Sequence, residues 1–376
     1  MADLSPDQVR ARRLHGQCLD TRRPAEALVD AVRAVCGVQA QLLSAMLLAL
    51  RARVRGLTAA DVDEAIRDSR RLVRTWVMRG TLHLIPSEDV RWLVSLFGPL
   101  FIPKGKRRRL QLGLSEDLST RGLKAIREIL RQDTPLTRGE IVERLNAQGV
   151  VLERRSQAPI HLIGLAALEG IVCLGPDRPN GESTYVLLDR WIEESASAPH
   201  DSGLADLSRR YLAGYGPADV RDFAAWSGLT VTEARRGWEQ VRDQDGLIEV
   251  HSGDRVLWLP ASAASMGNQA SPSVPIVRLL PAFDAYVLGY ANRDEVVRPE
   301  YQGEVYHGGQ TVPVVLVNGE TAGVWRYERQ GKLLRITVHP FEAFDSPVQR
   351  RIAEEAEDIG RFWNTRVSLS YTRERL

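Results

Sequence analysis

Apolar positions recur with a helical period through three early segments of the chain and then give way to short β-rich runs. The helical segments extend from Pro24 to Cys36, from Leu42 to Val54, and from Thr58 to Ser69. Asp61 follows Thr58 at the spacing of a helix start. The runs "LVRTWV" and "TLHLIP", joined at Arg79-Gly80, predict a hairpin. Three helices followed by a two-stranded wing is the order of a winged helix, a variant of the helix-turn-helix.

The same order of elements returns twice. The second copy has helical patterns in "STRGLKAIREILRQ", "TRGEIVERLNAQG" and "SQAPIHLIGLAALEG", followed by strand-like "IVCLG" and "STYVLL". The third has "ADLSRRYLAGYG", "PADVRDFAAWSG" and "TVTEARRGWEQVRDQ", then "LIEVHSG" and "DRVLWLP". The repeat is one of architecture, with a period of roughly 70 to 80 residues.

A stretch rich in Ser, Ala and Pro, "ASAASMGNQASPSVP", breaks this pattern and predicts a linker. Strand-like runs and a closing helix from Pro347 to Arg361 follow it. We therefore expect an α+β fold of three tandem winged-helix units and a β-rich C-terminal unit, C-shaped with a concave basic channel. The predicted boundaries are 1–113 for the first winged helix with an N-terminal helix and a basic linker, 114–195 for the second, 196–262 for the third, 263–275 for the linker and 276–376 for the β-rich domain.

Composition narrows the class of protein only slightly. The 50 basic and 48 acidic residues give a net charge of +2, which does not by itself identify a nucleic-acid partner. All but four of the basic residues are arginine. The planar guanidinium suits phosphates and guanine edges, although this bias can equally reflect a GC-rich coding sequence.

The three cysteines, Cys18, Cys36 and Cys173, are odd in number and lack C-x-x-C spacing, which excludes a disulfide scaffold and a structural zinc site. The N-terminus is charged rather than signal-like, and no run approaches 18 apolar residues. These features predict a cytoplasmic protein. We further expect a monomer that needs no metal, cofactor or membrane.

The stretch "GVQAQLLSAM" places two neutral amides, Gln39 and Gln41, just before an apolar run. Residues two apart do not share a helix face. The pair can converge on one water only from an extended or turn backbone, so we expect a loop or a helix N-terminus. The alternative is that both side chains merely cap or flank the helix beginning near Leu42.

Four motifs resemble the AlkZ/YcaQ-like tandem winged-helix DNA glycosylases: "GVQAQLLSA", "TWVMRGTLHLIP", "LLPAFDAYVLGYANR" and "VLVNGETAGVWRYE". The resemblance covers nearly the whole chain. In that family a glutamine-aliphatic-glutamine motif marks the catalytic centre of the AlkZ-like branch, whereas the YcaQ-like branch has aspartate in the third position. The motif falls here on Gln39, Ala40 and Gln41, so the resemblance implies the AlkZ-like branch.

Two amides suit the chemistry that this resemblance implies. Alkylation at N7 gives guanine a positive charge, so breaking its glycosidic bond releases a neutral base with little general-acid help. The protein must place a water near the anomeric carbon and stabilise an oxocarbenium-like sugar. A glutamine can orient that water because its amide offers one acceptor and two donors.

Further side chains are candidates for catalytic support or DNA contact. Asp284 is the best-placed carboxylate for a general base, although it can instead cap a turn or pair with Arg293. His83 alternates with two leucines and should face solvent or a cleft. The candidate DNA contacts are Arg74, Arg79, Arg293, the basic run Lys104, Lys106, Arg107, Arg108 and Arg109, and Tyr306 and His307 near the tip of a predicted hairpin.

The main hypothesis is a DNA glycosylase that acts on bulky N7-alkylguanine in duplex DNA. The resemblance extends this activity to the unhooking of interstrand crosslinks. Members of the AlkZ-like branch often protect a producer from its own DNA-alkylating product, which implies a role in self-resistance. The alternatives are a non-enzymatic transcriptional regulator built from the same winged helices and a protein-interaction scaffold.

Overall fold

The computed structural model describes residues 2–192, 200–263 and 274–373. The chain divides into two compact units, Met1–Val62 with Leu204–Leu376, and Asp63–Gly203. Most of the predicted linker, residues 264–273, lies outside the described residues. None of the helices in the described ranges is long and apolar enough to span a membrane.

The N-terminal segment contains the three helices expected from its periodicity, preceded by one more. Its elements are β1 (Ala2–Asp3), α1 (Pro6–Gly16), α2 (Leu28–Ala34), β2 (Val38–Gln39), α3 (Leu43–Arg53) and α4 (Ala59–Arg67). The predicted start of α4 is confirmed, because the Asp61 carboxylate accepts from the Thr58 N–H at 2.7 Å and the Asp61 N–H donates back to the Thr58 hydroxyl.

The second unit contains the first predicted wing and the whole second repeat. Its elements are β3 (Leu72–Trp76), β4 (Leu82–Pro86), α5 (Val90–Gln111), α6 (Glu116–Gln132), β5 (Leu136–Thr137), α7 (Arg138–Ala147), α8 (Ala158–Leu168), β6 (Val172–Leu174), β7 (Thr184–Leu187) and α9 (Leu188–Trp191). Within this unit the strands follow the order β4-β3-β6-β7-β5. The two wings therefore share one sheet, joined where Arg74 pairs with Leu174.

The expectation that the basic run forms a linker was wrong in one respect. Lys104 to Arg109 belong to the last turns of α5, a 22-residue helix. The helix continues through Pro99 and Pro103, so the run has a fixed helical spacing.

The third repeat comprises α10 (His200–Tyr215), α11 (Val220–Ser227), α12 (Val231–Asp245), β8 (Leu247–Ser252) and β9 (Arg255–Pro260). Capping boxes fix the starts of α11 and α12, at Asp219 with Asp222 and at Thr230 with Glu233. β1 adds to β8 in parallel, so the chain's first residues complete this sheet.

The C-terminal domain is a sheet covered by the closing helix. Its elements are β10 (Val277–Leu280), α13 (Ala285–Leu288), α14 (Gln302–Val305), β11 (Tyr306–His307), β12 (Gln310–Thr311), β13 (Val314–Val317), β14 (Glu320–Gln330), β15 (Leu333–Pro340), α15 (Ser346–Phe362) and β16 (Arg366–Tyr371). The sheet has the order β10-β13-β14-β15-β16. The edge strand β16 was not predicted. Leu48 of α3 packs in the same core as Ile352 of α15, which joins α3 to this domain.

Candidate active site

The two glutamines lie on extended backbone between a short strand and a helix. β2 ends at Gln39, and α3 begins at Leu43. Residues two apart on extended backbone face the same side, and the Gln39 amide donates to Gln41 Oε1 at 2.7 Å. The expected local conformation is therefore present, and it brings the two side-chain amides together.

The pair lies at the edge of the interior. Gln39 is 9% exposed, whereas Gln41 is exposed. Ala40 between them is buried, so its small side chain points inward. The N-cap position of α3 is occupied by Leu42, whose apolar side chain forms no capping hydrogen bond.

Sequence reasoning missed an exposed apolar pair beside the glutamines. Leu42 is 50% exposed and Leu43 is 39% exposed. The signal was present, since both leucines directly follow Gln41, but helical periodicity alone assigned them to the core.

The far end of α3 is held by buried arginines. Arg51 contacts Glu355 at 2.9 Å and donates to the Leu279 carbonyl at 2.8 Å. Arg53 forms two 2.8 Å hydrogen bonds with the Asp284 carboxylate. Bidentate and buried ion pairs restrict the geometry of both partners, so the helix that follows Gln41 is anchored to the C-terminal domain.

Of the alternatives for Asp284, the capped turn is confirmed, because its carboxylate is the N-cap of α13. Its side chain is completely buried, paired with Arg53 rather than Arg293, and it accepts from the Tyr286 N–H at the start of α13. A carboxylate enclosed by a guanidinium and a backbone N–H is not placed to activate a water. We therefore assign Asp284 a structural role.

His83 was expected to face solvent or a cleft, and its side chain is buried instead. Both faces of β4 are covered, and His83 is 3% exposed. Its Nδ1 lies 3.0 Å from the Thr81 carbonyl oxygen. Burial, reinforced by the positive charge of Arg79, lowers the pKa of His83 to about 3, so the imidazole is neutral at physiological pH.

The two arginines of the first wing have different environments. Arg74 is 3% exposed and holds Asp177 through two hydrogen bonds of 2.9 and 2.7 Å. This bidentate pair joins the two wings, which corrects the expectation that Arg74 contacts DNA. Arg79 lies in the predicted turn with a φ of 54° and is half-buried, and its DNA contact stays a prediction.

Only some side chains of the basic run on α5 form contacts within the protein. Lys106 pairs with Glu116, Arg109 donates to the Ile102 carbonyl, and Lys104 lies 4.9 Å from the ring centre of Phe101. Arg107 is exposed. The run therefore retains exposed positive charge, as required for the predicted phosphate contacts.

The predicted hairpin is present as β11 and β12, and its turn is Gly308-Gly309. Both glycines have positive φ, which a two-residue turn between twisted strands requires. Tyr306 lies near the tip, two residues before Gly308, but Arg293 covers its ring at 3.8 Å and its hydroxyl donates to the Val287 carbonyl. Burial raises the pKa of Tyr306 to about 12. His307 is exposed, so it is the hairpin residue better placed for DNA.

Comparison with known proteins decides the family. The model of the AlkZ-like DNA glycosylase family matches residues 32–362. This chain belongs to the AlkZ-like DNA glycosylase family. Its members hydrolyse N-glycosyl bonds, as expected from the motifs. The family segment begins before the glutamine pair and ends at the last residue of α15.

Two relatives cover the chain almost completely. An interstrand DNA cross-link repair glycosylase from Streptomyces sahachiroi is 30% identical over 364 residues, covering 94% of this chain and 95% of the relative. The solved structure of Streptomyces sahachiroi DNA glycosylase AlkZ superposes with a TM-score of 0.80 at 26% identity, covering 98% of this chain and all of that one. The mixed α and β architecture is therefore that of AlkZ.

Proposed function

We propose that this AlkZ-like glycosylase hydrolyses the N-glycosidic bond of bulky N7-alkylguanine in duplex DNA, with Gln39 and Gln41 orienting the attacking water. The observation that carries the proposal is the 2.7 Å hydrogen bond between the two amides on extended backbone. This bond fixes the orientation of Gln41, whose side chain is exposed. A fixed, accessible amide is suited to positioning a water.

The hydrogen-bonding capacity of Gln41 supports this role. Its oxygen accepts from Gln39 and retains a second lone pair, while its NH₂ carries two N–H donors. A water can donate to that oxygen and so direct its own lone pair toward the anomeric carbon. The neutral amide cannot remove a proton as a strong base does, so the leaving base must bring most of the driving force.

The two titratable candidates for catalytic support also favour a substrate with a cationic leaving base. Asp284 is enclosed by Arg53, and His83 is buried and neutral. Neither is placed to protonate a leaving guanine. A guanine alkylated at N7 needs no such proton because it departs as a neutral base.

In helix-turn-helix proteins the recognition helix lies in the major groove and contacts base edges. The third helix of each repeat would have this role in a transcriptional regulator, and its composition does not favour that alternative. α4 carries three acidic residues and one basic residue, and α12 carries four acidic and three basic residues. α8 has no charged residue at all. Helices of this composition are poor readers of base edges, whereas a repair enzyme has no need of sequence readout.

The proposal extends to interstrand crosslinks and to self-resistance. The Streptomyces sahachiroi relative is named as a cross-link repair glycosylase, and a crosslink between N7 positions presents the same cationic leaving base. We further propose that the protein protects its host against a DNA-alkylating natural product.

The test is formation of abasic sites. A labelled duplex carrying one N7-alkylguanine is incubated with the protein, treated with alkali and resolved on a denaturing gel. We expect strand cleavage at the adduct and none in the unmodified duplex. The assay is repeated with adducts of increasing size and with a crosslinked duplex.

Failure of all adducts to yield abasic sites, from protein that binds the same duplexes, would contradict the proposal. Release of neutral alkylated bases at rates comparable with N7-alkylguanine would contradict its mechanism, because such bases lack the cationic leaving group.

A further inference from the structure

Three arginines line a cavity on the second repeat. The cavity has a volume of about 620 Å³ and is lined by Arg138, Arg154, Arg155 and the polar residues Ser156 and Gln157. All three arginines are exposed. In the described part of the chain, none of the three forms an ion pair. Their charges are therefore available to a ligand.

The cavity adjoins the basic run of α5. Arg108 donates to Gln157 Oε1 at 2.7 Å, so the end of α5 lies beside the start of α8. His161, one turn into α8, has its pKa lowered by burial and by the charges of Arg108 and Arg109. The cavity and the run thus form one positively charged surface.

Acidic residues reduce this charge only in part. Glu182 also lines the cavity, and Glu153 precedes Arg154 in the chain. Lys106 is neutralised by Glu116. Arg107, Arg108 and the three cavity arginines remain, which leaves a clear positive excess for an anion.

The helix behind the cavity cannot read bases. α8 is the third helix of its repeat, and its sequence APIHLIGLAAL offers one polar side chain, His161. Its apolar side chains are mostly buried in the core of the unit. Next to α8, polar side chains lie in the loop that precedes the helix, at Arg154, Arg155 and Gln157. Guanidinium groups without a base-reading helix are suited to backbone phosphates.

We propose that the cavity lined by Arg138, Arg154 and Arg155 binds a phosphate of the DNA backbone, so that the second repeat holds duplex DNA without reading its sequence. The inference rests on the proposal that duplex DNA is the substrate. It assigns the second repeat to positioning and leaves base release to the glutamine pair. The ligand class is a phosphodiester.

The test uses the full-length Arg154→Ala/Arg155→Ala variant. Binding to short labelled adduct-free duplexes is measured by fluorescence anisotropy between about 50 and 200 mM salt. We expect about tenfold weaker binding at the lower salt concentration and a salt slope smaller in magnitude by about 1 to 2. The loss should be equal for duplexes of unrelated sequence.

A charge-matched control is available in the same unit. Lys124 and Arg131 are exposed on α6 and do not line the cavity. The Lys124→Ala/Arg131→Ala variant loses the same net charge and should bind within about twofold of the wild type. Thermal unfolding of both variants verifies that the fold is intact.

Several outcomes would overturn the proposal. These are wild-type affinity and salt slope in the cavity variant, an equal loss in the control, or a loss confined to particular sequences. Displacement of DNA by millimolar inorganic phosphate at constant ionic strength would identify free phosphate as the occupant instead.

Base release separates this inference from the proposed function. At saturating DNA the cavity variant should release N7-alkylguanine at the wild-type rate. Binding of adduct-free duplex is measured without catalysis. The proposal for the phosphate site can therefore be contradicted while glycosylase activity is found, and glycosylase activity can be absent while the phosphate site is confirmed.

Discussion

Gln39 and Gln41 share one hydrogen bond but differ in their surroundings. Gln39 is nearly buried, whereas Gln41 reaches the surface. The hydrogen bond between them restrains the exposed side chain of Gln41. An exposed glutamine would otherwise sample several rotamers, at an entropic cost to any role in orienting water.

Replacing the pair should therefore separate catalysis from binding. We expect the Gln39→Ala/Gln41→Ala variant to release base about 100-fold more slowly, in the range for loss of positioned catalytic groups. Its affinity for duplex DNA should stay within about threefold of the wild type. Single-turnover rates and anisotropy measure the two quantities.

The control for this variant is Gln148→Ala, which removes an exposed glutamine at the end of α7. Its rate and affinity should equal those of the wild type. An unchanged rate in the double variant would remove the glutamines from the mechanism.

His83 makes stability depend on pH. In the unfolded chain it titrates near pH 6.5, whereas burial lowers its pKa to about 3 in the fold. Between these values the unfolded state binds more protons, so the free energy of unfolding falls as pH falls. The His83→Gln variant should lose less stability than the wild type between pH 7 and 5, by about 2 kcal/mol.

Urea unfolding at both pH values measures this difference. The exposed His307 provides the comparison, since His307→Gln should leave the pH dependence unchanged. Equal pH dependence in the wild type and His83→Gln would show that His83 is charged or solvated in the fold.

At the scale of elements, α3 connects the candidate site to the C-terminal domain. Its start follows Gln41, its middle contributes Leu48 to the core beneath α15, and its end carries Arg51 and Arg53. Both arginines are completely buried. The position of the glutamines therefore depends on ion pairs formed two to four turns away.

Asp284→Asn tests this anchor. The change leaves the buried Arg53 without a counter-charge, and we expect a loss of about 3 to 5 kcal/mol in the free energy of unfolding. Denaturant unfolding measures the loss, with the exposed Asp254→Asn as a control. A variant with wild-type stability but at least 100-fold slower base release would instead make Asp284 a catalytic carboxylate.

At the scale of the whole molecule, the first and last parts of the chain form one unit. Arg13 pairs with Glu295, Arg22 with Asp358, and Arg53 with Asp284, each across more than 200 residues of sequence. The unit Asp63–Gly203 lies between them in sequence and contains a hydrophobic core of its own.

This organisation predicts different behaviour for two fragments. Residues 63–203 should unfold cooperatively when isolated, because their core is formed within the fragment. Residues 204–376 should not, because Asp284, Glu295 and Glu355 would each lose an arginine partner that lies in the first 62 residues. Circular dichroism during heating measures both, and a cooperative transition in 204–376 would contradict this view.

The family resemblance and the local patterns were both available from the sequence. Helical and strand periods located the three repeats, the Thr58 capping box marked the start of α4, and Gly308-Gly309 predicted the hairpin turn. These features depend on neighbouring residues, so they can be seen in the sequence. The extended backbone of Gln39 and Gln41 followed from their spacing for the same reason.

The partners of the charged side chains were decided only by tertiary structure. Arg74 was expected on DNA and pairs with Asp177, while Asp284, a candidate general base with a turn cap or a pair with Arg293 as alternatives, pairs with Arg53. The burial of His83 depends on what covers the second face of β4. Each outcome depends on residues distant in sequence, and a linear pattern does not encode which distant groups meet. The sequence by itself determined the order of the elements and indicated the glutamine pair, whereas tertiary packing decided which charges remain free to act.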